Sequence, residues 1–276
     1  MKEGMHMNIR LEQPTDYYEI EELTRNTFWT HYWGEGMTIC DEHLLVHRLR
    51  KSPSFVPALD FVAEIDDKLV GHIIYSESKI KNDLSEEYVV LTFGPLSVLP
   101  EYQGRGIGKA LMRHSFDAAR QLGYPAVIIF GHPDYYPRVG FRRASEFGIT
   151  AANGTAYDSL MVYPLYENEN ALDGIHGRFI LDPVYESLTQ ADALEYDKRF
   201  PPKEAHIPIP INILLDRLEP TARKEIQALN LSSLALIATK SQRELSELNG
   251  IDAAAIQTIR AVMQENGFLW GSGNTP

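Results

Sequence analysis

Cysteine is almost absent from this 276-residue chain. Cys40 stands alone, so no intrachain disulfide can form, and a reducing, cytoplasmic setting is expected. Long apolar runs are missing as well. The stretch 124–130 falls far short of the roughly 20 residues that span a bilayer, so no membrane helix is expected. No basic segment followed by an apolar one opens the chain, and no secretory signal is expected. Positive charge is in deficit. Lys+Arg 26 against Asp+Glu 38 gives a formal net charge of −12, which disfavours nucleic acid and anionic membranes and favours small cationic partners. The nine histidines and single cysteine show no ligand spacing, so no metal is expected. No repeat of 20 to 50 residues is present.

Apolar residues make up 44% and charged residues 23%, the balance of a chain that buries a core rather than staying disordered. Ile20, Leu23 and Phe28 recur at helical spacing behind Thr15 and Asp16, and Leu44, Leu45 and Leu49 mark a second amphipathic helix over 41–51. Runs 61–65 and 69–75 flank Asp66, Asp67 and Lys68 and read as a β-hairpin. A third strand is expected over 89–98, a helix over 107–121, a strand buried on both faces over 124–130, and a last strand over 161–166. Such an order describes an α/β or α+β sheet layered with helices. Residues 186–206 are polar and read as a linker. The proline-stiffened 207–211 then leads into a segment with only helical signals. Ser241 and Glu244 form a capping box, and Asp252 can cap the final helix.

Residues 103–108 read Gln-Gly-Arg-Gly-Ile-Gly between a strand and a helix. Gly104, Gly106 and Gly108 allow a sharp turn and close approach of backbone N–H groups, and the helix N-terminus adds partial positive charge. Arg105 and Lys109 add more. Neither the dinucleotide fingerprint nor the nucleotide P-loop matches this spacing. Upstream, Pro95 removes a ladder hydrogen bond from what reads as a central strand, so the sheet must open there and free backbone groups of Leu96, Ser97 and Val98.

This stretch resembles the acetyl-CoA site of the GNAT superfamily of N-acetyltransferases, whose loop reads Q/R-x-x-G-x-G/A. Gln103, Gly106 and Gly108 match position for position. Tyr135-Tyr-Pro-Arg-Val-Gly-Phe141 resembles the second signature, an aromatic–tyrosine pair followed by Gly-Phe, and the likeness extends from about residue 8 to 166. Asp197-Lys-Arg-Phe-Pro-Pro-Lys203 is similar to a tail motif of one branch. The resemblance implies a GNAT fold: a mixed central sheet with splayed strands flanked by helices. Acetyl-CoA would be the acyl donor, held by Leu96, Ser97 and Val98 and by Gln103, Gly104, Arg105, Gly106, Ile107, Gly108 and Lys109.

Acyl transfer to an amine needs a neutral nucleophile, a stabilised oxyanion and a proton for the thiolate. The backbone N–H of Val98 is the candidate for the second, and the resemblance puts the general acid at Tyr136. Relatives often carry a carboxylate base on the fourth strand, but 89–98 contains no acid. Glu64, Glu35 and a water wire stay open for that role. Trp29, His31, Tyr32 and Trp33 fall where this fold walls its acceptor pocket, although Trp29 reads equally as core, and His132 reads as structural.

Segment 212–270 resembles the helix–hairpin–helix C-terminal domain of the bacterial RNA polymerase α subunit. Gly250 fits, but Asp252 replaces the second hairpin glycine, and six basic against seven acidic residues over 207–270 weaken a nucleic-acid role. The resulting expectation is a GNAT domain over 1–185, a polar linker over 186–206 and a helical domain over 207–276. The enzyme would acetylate a small-molecule or peptide amine. Open alternatives are an acyl-CoA-binding regulator without turnover and a DNA- or polymerase-associated enzyme targeted by its helical domain. A protein contact through that domain and a homodimer are also open.

Overall fold

A computed structural model of the chain describes residues 7–29, 39–166, 172–203, 209–238, 240–266 and 268. Its strands are β1 (Met7–Leu11), β2 (Phe61–Ile65), β3 (Lys68–Lys81), β4 (Glu87–Val98), β5 (Ala126–Phe130), β6 (Arg142–Arg143), β7 (Ile149–Ala151), β8 (Leu160–Pro164) and β9 (Gly177–Ile180). They join one mixed sheet in the order β1-β2-β3-β4-β5-β8-β6, with β9 pairing both the far half of β3 and β7. Among the described residues, only the β4–β5 and β7–β9 pairs are parallel. Helices α1 (Tyr17–Phe28), α2 (Glu42–Leu49) and α3 (Ile107–Gln121) pack on this sheet, and α4 (Gln190–Asp197) lies against α2. This is the mixed α/β architecture that the sequence predicts. Among the described residues, no helix is long and apolar enough to cross a membrane.

Local chemistry explains each element that frames the site. Asp66 and Asp67 both take the left-handed conformation, which Asp tolerates and a two-residue hairpin demands, so β2 turns directly into β3. Helix α3 buries Ile107, Leu111, Met112, Phe116 and Ala119, spaced to share one face. Its approach to the sheet depends on Gly71 of β3. A Cβ there would lie 3.0 Å from both Ile107 Cγ2 and Leu111 Cδ1, so the missing side chain lets the helix N-terminus settle close to β4.

The polar stretch read as a linker is folded over 189–200. Thr189 caps α4 by accepting from the Asp192 N–H at 3.1 Å. Ala193, Tyr196 and Phe200 recur on one side, where Ala193 packs on Leu44 and Cys40 and Phe200 stacks on Tyr18 at 5.1 Å. Asp197 accepts two hydrogen bonds from the fully buried Arg25 guanidinium at 2.5 and 2.9 Å. Removing one partner of such a pair costs about 3–5 kcal/mol, because the other charge stays buried. Its burial escapes notice in sequence because every apolar contact is flanked by charge.

The C-terminal segment forms α5 (Asn212–Leu215), α6 (Pro220–Ala228), α7 (Leu234–Ala238), α8 (Gln242–Ser246) and α9 (Ala253–Glu265). The expected capping box is present: Ser241 Oγ accepts from the Glu244 N–H at 3.0 Å, and Glu244 Oε2 accepts from the Ser241 N–H at 2.7 Å. Asp252 likewise caps α9 through the Ala255 N–H at 2.8 Å. Ile226, Leu234, Ile259, Val262 and Met263 build a core of their own, separate from the one beneath the sheet.

Candidate active site

The sheet opens where Pro95 interrupts β4. Pairing with β3 shifts register opposite Ile74, and β4 shares one registered pair with β5, Leu91 with Val127. Beyond it lies a cleft of about 540 Å³, with Phe93, Gly94, Pro95 and Leu96 on one wall and Ile129, Phe130 and Gly131 on the other. Antiparallel pairing alternates, and the Leu99 N–H donates to Val70 O at 3.0 Å. The N–H groups of Leu96 and Val98 therefore point away from β3, toward the opening. Ser97 points the other way, its hydroxyl donating to Thr24 Oγ1 at 3.1 Å.

The glycine turn lies at the end of the same strand. Gln103 Nε2 donates to Val98 O at 3.0 Å, tying the turn back to β4. Gly104 and Gly106 have φ of +72° and +86°, and Gly106 is the residue on which α3 starts. Nothing stands within 4 Å of where their Cβ atoms would be, so open space faces the turn. No acid occupies the first turn of α3, leaving its partial positive charge uncompensated. Ile107 is core, and Gly108 is buried in the helix. Arg105 donates to Glu101 O at 2.7 Å and covers the Tyr102 ring. Lys109 joins Arg113, Arg120 and Arg138 around a second groove of about 280 Å³, floored by Met112, Phe116 and Tyr163.

Tyr136 lines the larger cleft. Its ring is wedged against Tyr135 at 5.1 Å, Phe141 at 5.2 Å and Phe93 at 6.1 Å. It also lies over Gly131: a Cβ there would come within 2.6 Å of Tyr136 Cε2 and closer still to Cδ2. Burial pushes the phenol pKa up, with Tyr135 adding to it, so the hydroxyl stays protonated at neutral pH.

A carboxylate outside β4 does line the cleft. Glu42, in the first turn of α2, lines the cleft together with Phe28 and Leu45. Its Oε2 is buried without a hydrogen-bond partner. Desolvation, reinforced by the Asp41 charge, pushes its pKa up to about 8. Sequence reading overlooked it because an acid in a first helical turn is ordinarily a dipole partner. Glu64 does not reach the cleft. Arg10 holds it at 2.6 and 2.9 Å on the edge strands and lowers its pKa. Glu35, His31, Tyr32 and Trp33 lie outside the described residues. Trp29 packs under Arg25 at 4.4 Å and Lys203 at 5.2 Å, half-buried beside the Cys40–Leu44 cluster, and does not line the cleft.

The helical domain touches the loop that carries Tyr136. Asp134 Oδ2 accepts from the Gln242 N–H at 3.2 Å. His132 lines the cleft, receives the Asp134 N–H on Nδ1 at 3.2 Å and interacts with the Ala238 backbone. Burial lowers its pKa. Among the described residues, Glu12, Asp60 and His72 alone converge closely enough to hold a metal ion. Arg50 already fills that need, donating to Glu12 at 2.6 and 2.8 Å, while His72 and Asp60 bond at 2.8 Å.

Comparison with known proteins places this geometry. Residues 13–143 match the acetyltransferase (GNAT) family. An uncharacterized N-acetyltransferase of Escherichia coli K12, YjhQ, is 32% identical over 136 residues, 49% of this chain and 70% of that protein. A second, YhbS, is 28% identical over 172 residues, 62% of this chain and 93% of that one. The crystal structure of E. coli YhbS in complex with CoA superposes with a TM-score of 0.58 at 24% identity, covering 68% of this chain and 97% of that one. A Brucella melitensis GNAT family acetyltransferase in complex with acetyl-CoA gives 0.51 at 26% identity, covering 66% and 99%. With its splayed β4–β5 pair, glycine turn and paired tyrosines, the chain belongs to the GNAT family of acetyltransferase enzymes.

Proposed function

We propose that this enzyme transfers the acetyl group of acetyl-CoA to an amine by direct attack within a ternary complex. One arrangement carries the reading: β4 leads from the cleft that Tyr136 lines to the glycine turn on which α3 starts. An extended pantetheine arm can add to the free edge of β4 through the N–H groups of Leu96 and Val98. Its pyrophosphate then meets the backbone of 104–108 at the helix N-terminus, with Lys109, Arg113 and Arg138 beside the remaining negative charge.

In this arrangement the Val98 N–H faces the thioester oxygen and stabilises the tetrahedral oxyanion. A preorganised donor of this kind contributes roughly 3–4 kcal/mol. Tyr136 protonates the departing sulfur. Its phenol is a weaker acid than a free thiol, so the transfer must be concerted with C–S cleavage in a water-poor cleft. A regulator without turnover would need no base, whereas Glu42 places a carboxylate at this cleft. We read the helical domain as a protein-contact module that also props the 131–136 loop, since its charge is near neutral.

The test is the rate of thiol release from acetyl-CoA with and without a panel of primary amines. Amine-dependent release supports the reading. Acetyl-CoA binding without release for any amine favours the regulator, and absence of both removes the proposal.

A further inference from the structure

We infer that Glu42 is the base that accepts a proton from the acceptor, and that the acceptor is a small primary amine on an apolar body. This rests on the acetyl-transfer reading of the same cleft. A carboxylate stands in an unexpected place. Glu42 Oε2 is buried at the cleft wall and has no partner, a condition that costs free energy unless a ligand relieves it. Around it the wall is apolar: Phe28 and Leu45 from α1 and α2, Pro95 and Leu96 from β4, Tyr185 beyond. Among the described residues no lysine or arginine lines the cleft, whereas Glu42 offers a cationic amine a partner. The titratable groups lining this space besides Glu42 are His132, Tyr135 and Tyr136 on the opposite wall and Tyr185, and Asp41, the residue before α2, adds its charge beside Glu42. The thioester end of the donor shares the same 540 Å³, which leaves room for a small body and not for a folded protein surface.

An alkylammonium group seats its N–H on Glu42 and gives up one proton to the carboxylate. The freed lone pair attacks the thioester carbon, forming C–N, and the C–S bond breaks as the intermediate collapses. The sulfur takes the proton of Tyr136, and the phenolate takes the second proton from the new amide nitrogen. Glu42 then releases its proton to water. The ammonium and acetyl-CoA become the acetamide, free thiol and one solvent proton, so atoms and charge balance. The raised proton affinity of Glu42 suits this step, because a carboxylate near its ordinary pKa is too weak a base for an alkylammonium ion, and the seated ammonium charge itself favours the ionised carboxylate that receives the proton.

The test compares wild type with Glu42→Gln on two probes, phenethylamine, which is cationic at neutral pH, and trifluoroethylamine, which is largely neutral. Turnover of phenethylamine should fall by about 10²- to 10⁴-fold at pH 7, the usual contribution of a general base. Trifluoroethylamine should lose less than about tenfold, and Glu42→Asp should recover part of the phenethylamine rate. Acetyl-CoA affinity, read by calorimetry, should stay unchanged and shows that the variants are folded. Equal losses on both amines, or none on either, overturn the role of Glu42. Wild type that binds acetyl-CoA but acetylates neither probe overturns the acceptor class alone. Wild type that fails to bind acetyl-CoA overturns the acetyl-transfer reading beneath it.

Discussion

Replacing Gly131 by alanine adds one methyl group at the point where the Tyr136 ring rests. The new Cβ would lie 2.6 Å from Tyr136 Cε2 and 2.9 Å from Ile129 Cδ1, whereas carbon atoms settle at about 3.5–4.0 Å. The ring must therefore retreat by about 1 Å, since Gly131 follows β5 and its backbone is anchored by an N–H bond to Ser159 O at 2.8 Å. Gly131 does not sit in the left-handed region, so alanine brings no backbone strain of its own. A misplacement of about 1 Å in a reacting group costs roughly 10²-fold in rate, and overpacking of this size costs about 1–3 kcal/mol of stability. The assay is thiol release under saturating acetyl-CoA, with calorimetric binding and a thermal melt as controls. The expected result is a drop in kcat of about 10²-fold with acetyl-CoA affinity within about threefold of wild type. A kcat within about threefold of wild type would refute the claim that the position of this ring matters to the chemistry.

Gly106→Val should weaken acetyl-CoA binding by at least about tenfold in calorimetry, equivalent to about 1.4 kcal/mol. A β-branched residue at φ +86° is strained, and its side chain enters the space before the helix. Tyr136→Phe should lower kcat by about 10²- to 10⁴-fold with little change in acetyl-CoA affinity, as only the hydroxyl is lost. Glu42→Gln should stabilise the fold at alkaline pH. The wild-type carboxyl binds its proton more tightly when folded, so its penalty is absent below about pH 4.5 and fully present above about pH 8. Melts should show the variant gaining roughly 2 kcal/mol across that window after allowance for partial exposure, at about 1.4 kcal/mol per tenfold change in proton affinity. A chain ending at Lys203 should fold and bind acetyl-CoA, because the two cores share no residue, and a melt with ligand titration checks it.

Where one periodicity dominated, the sequence could be read almost to the residue. Helix α3 runs over 107–121 because its apolar face, its glycine start and its Gly123 stop agree. The strand opening at Pro95 was legible too, since proline cannot serve a central ladder. The short strands β7 and β9 were not, because three or four residues carry too little alternation to stand out. Glu42 was hidden by the ambiguity of its position. The same acid caps a helix dipole when exposed and becomes a strained, reactive group when a sheet closes over it, and only tertiary packing distinguishes the two. Asp197 shows the converse: a residue in a charged run whose partner, Arg25, lies 172 positions away.

The most direct measurement is a single-turnover reaction of the full chain with acetyl-CoA and phenethylamine, followed by mass spectrometry. The account predicts one N-acetylphenethylamine for each free thiol, no thiol without the amine, and no acetylated protein at any time point. Thiol released without acetylated amine, or an acetyl group carried on the protein, would contradict direct transfer in the cleft between β4 and β5.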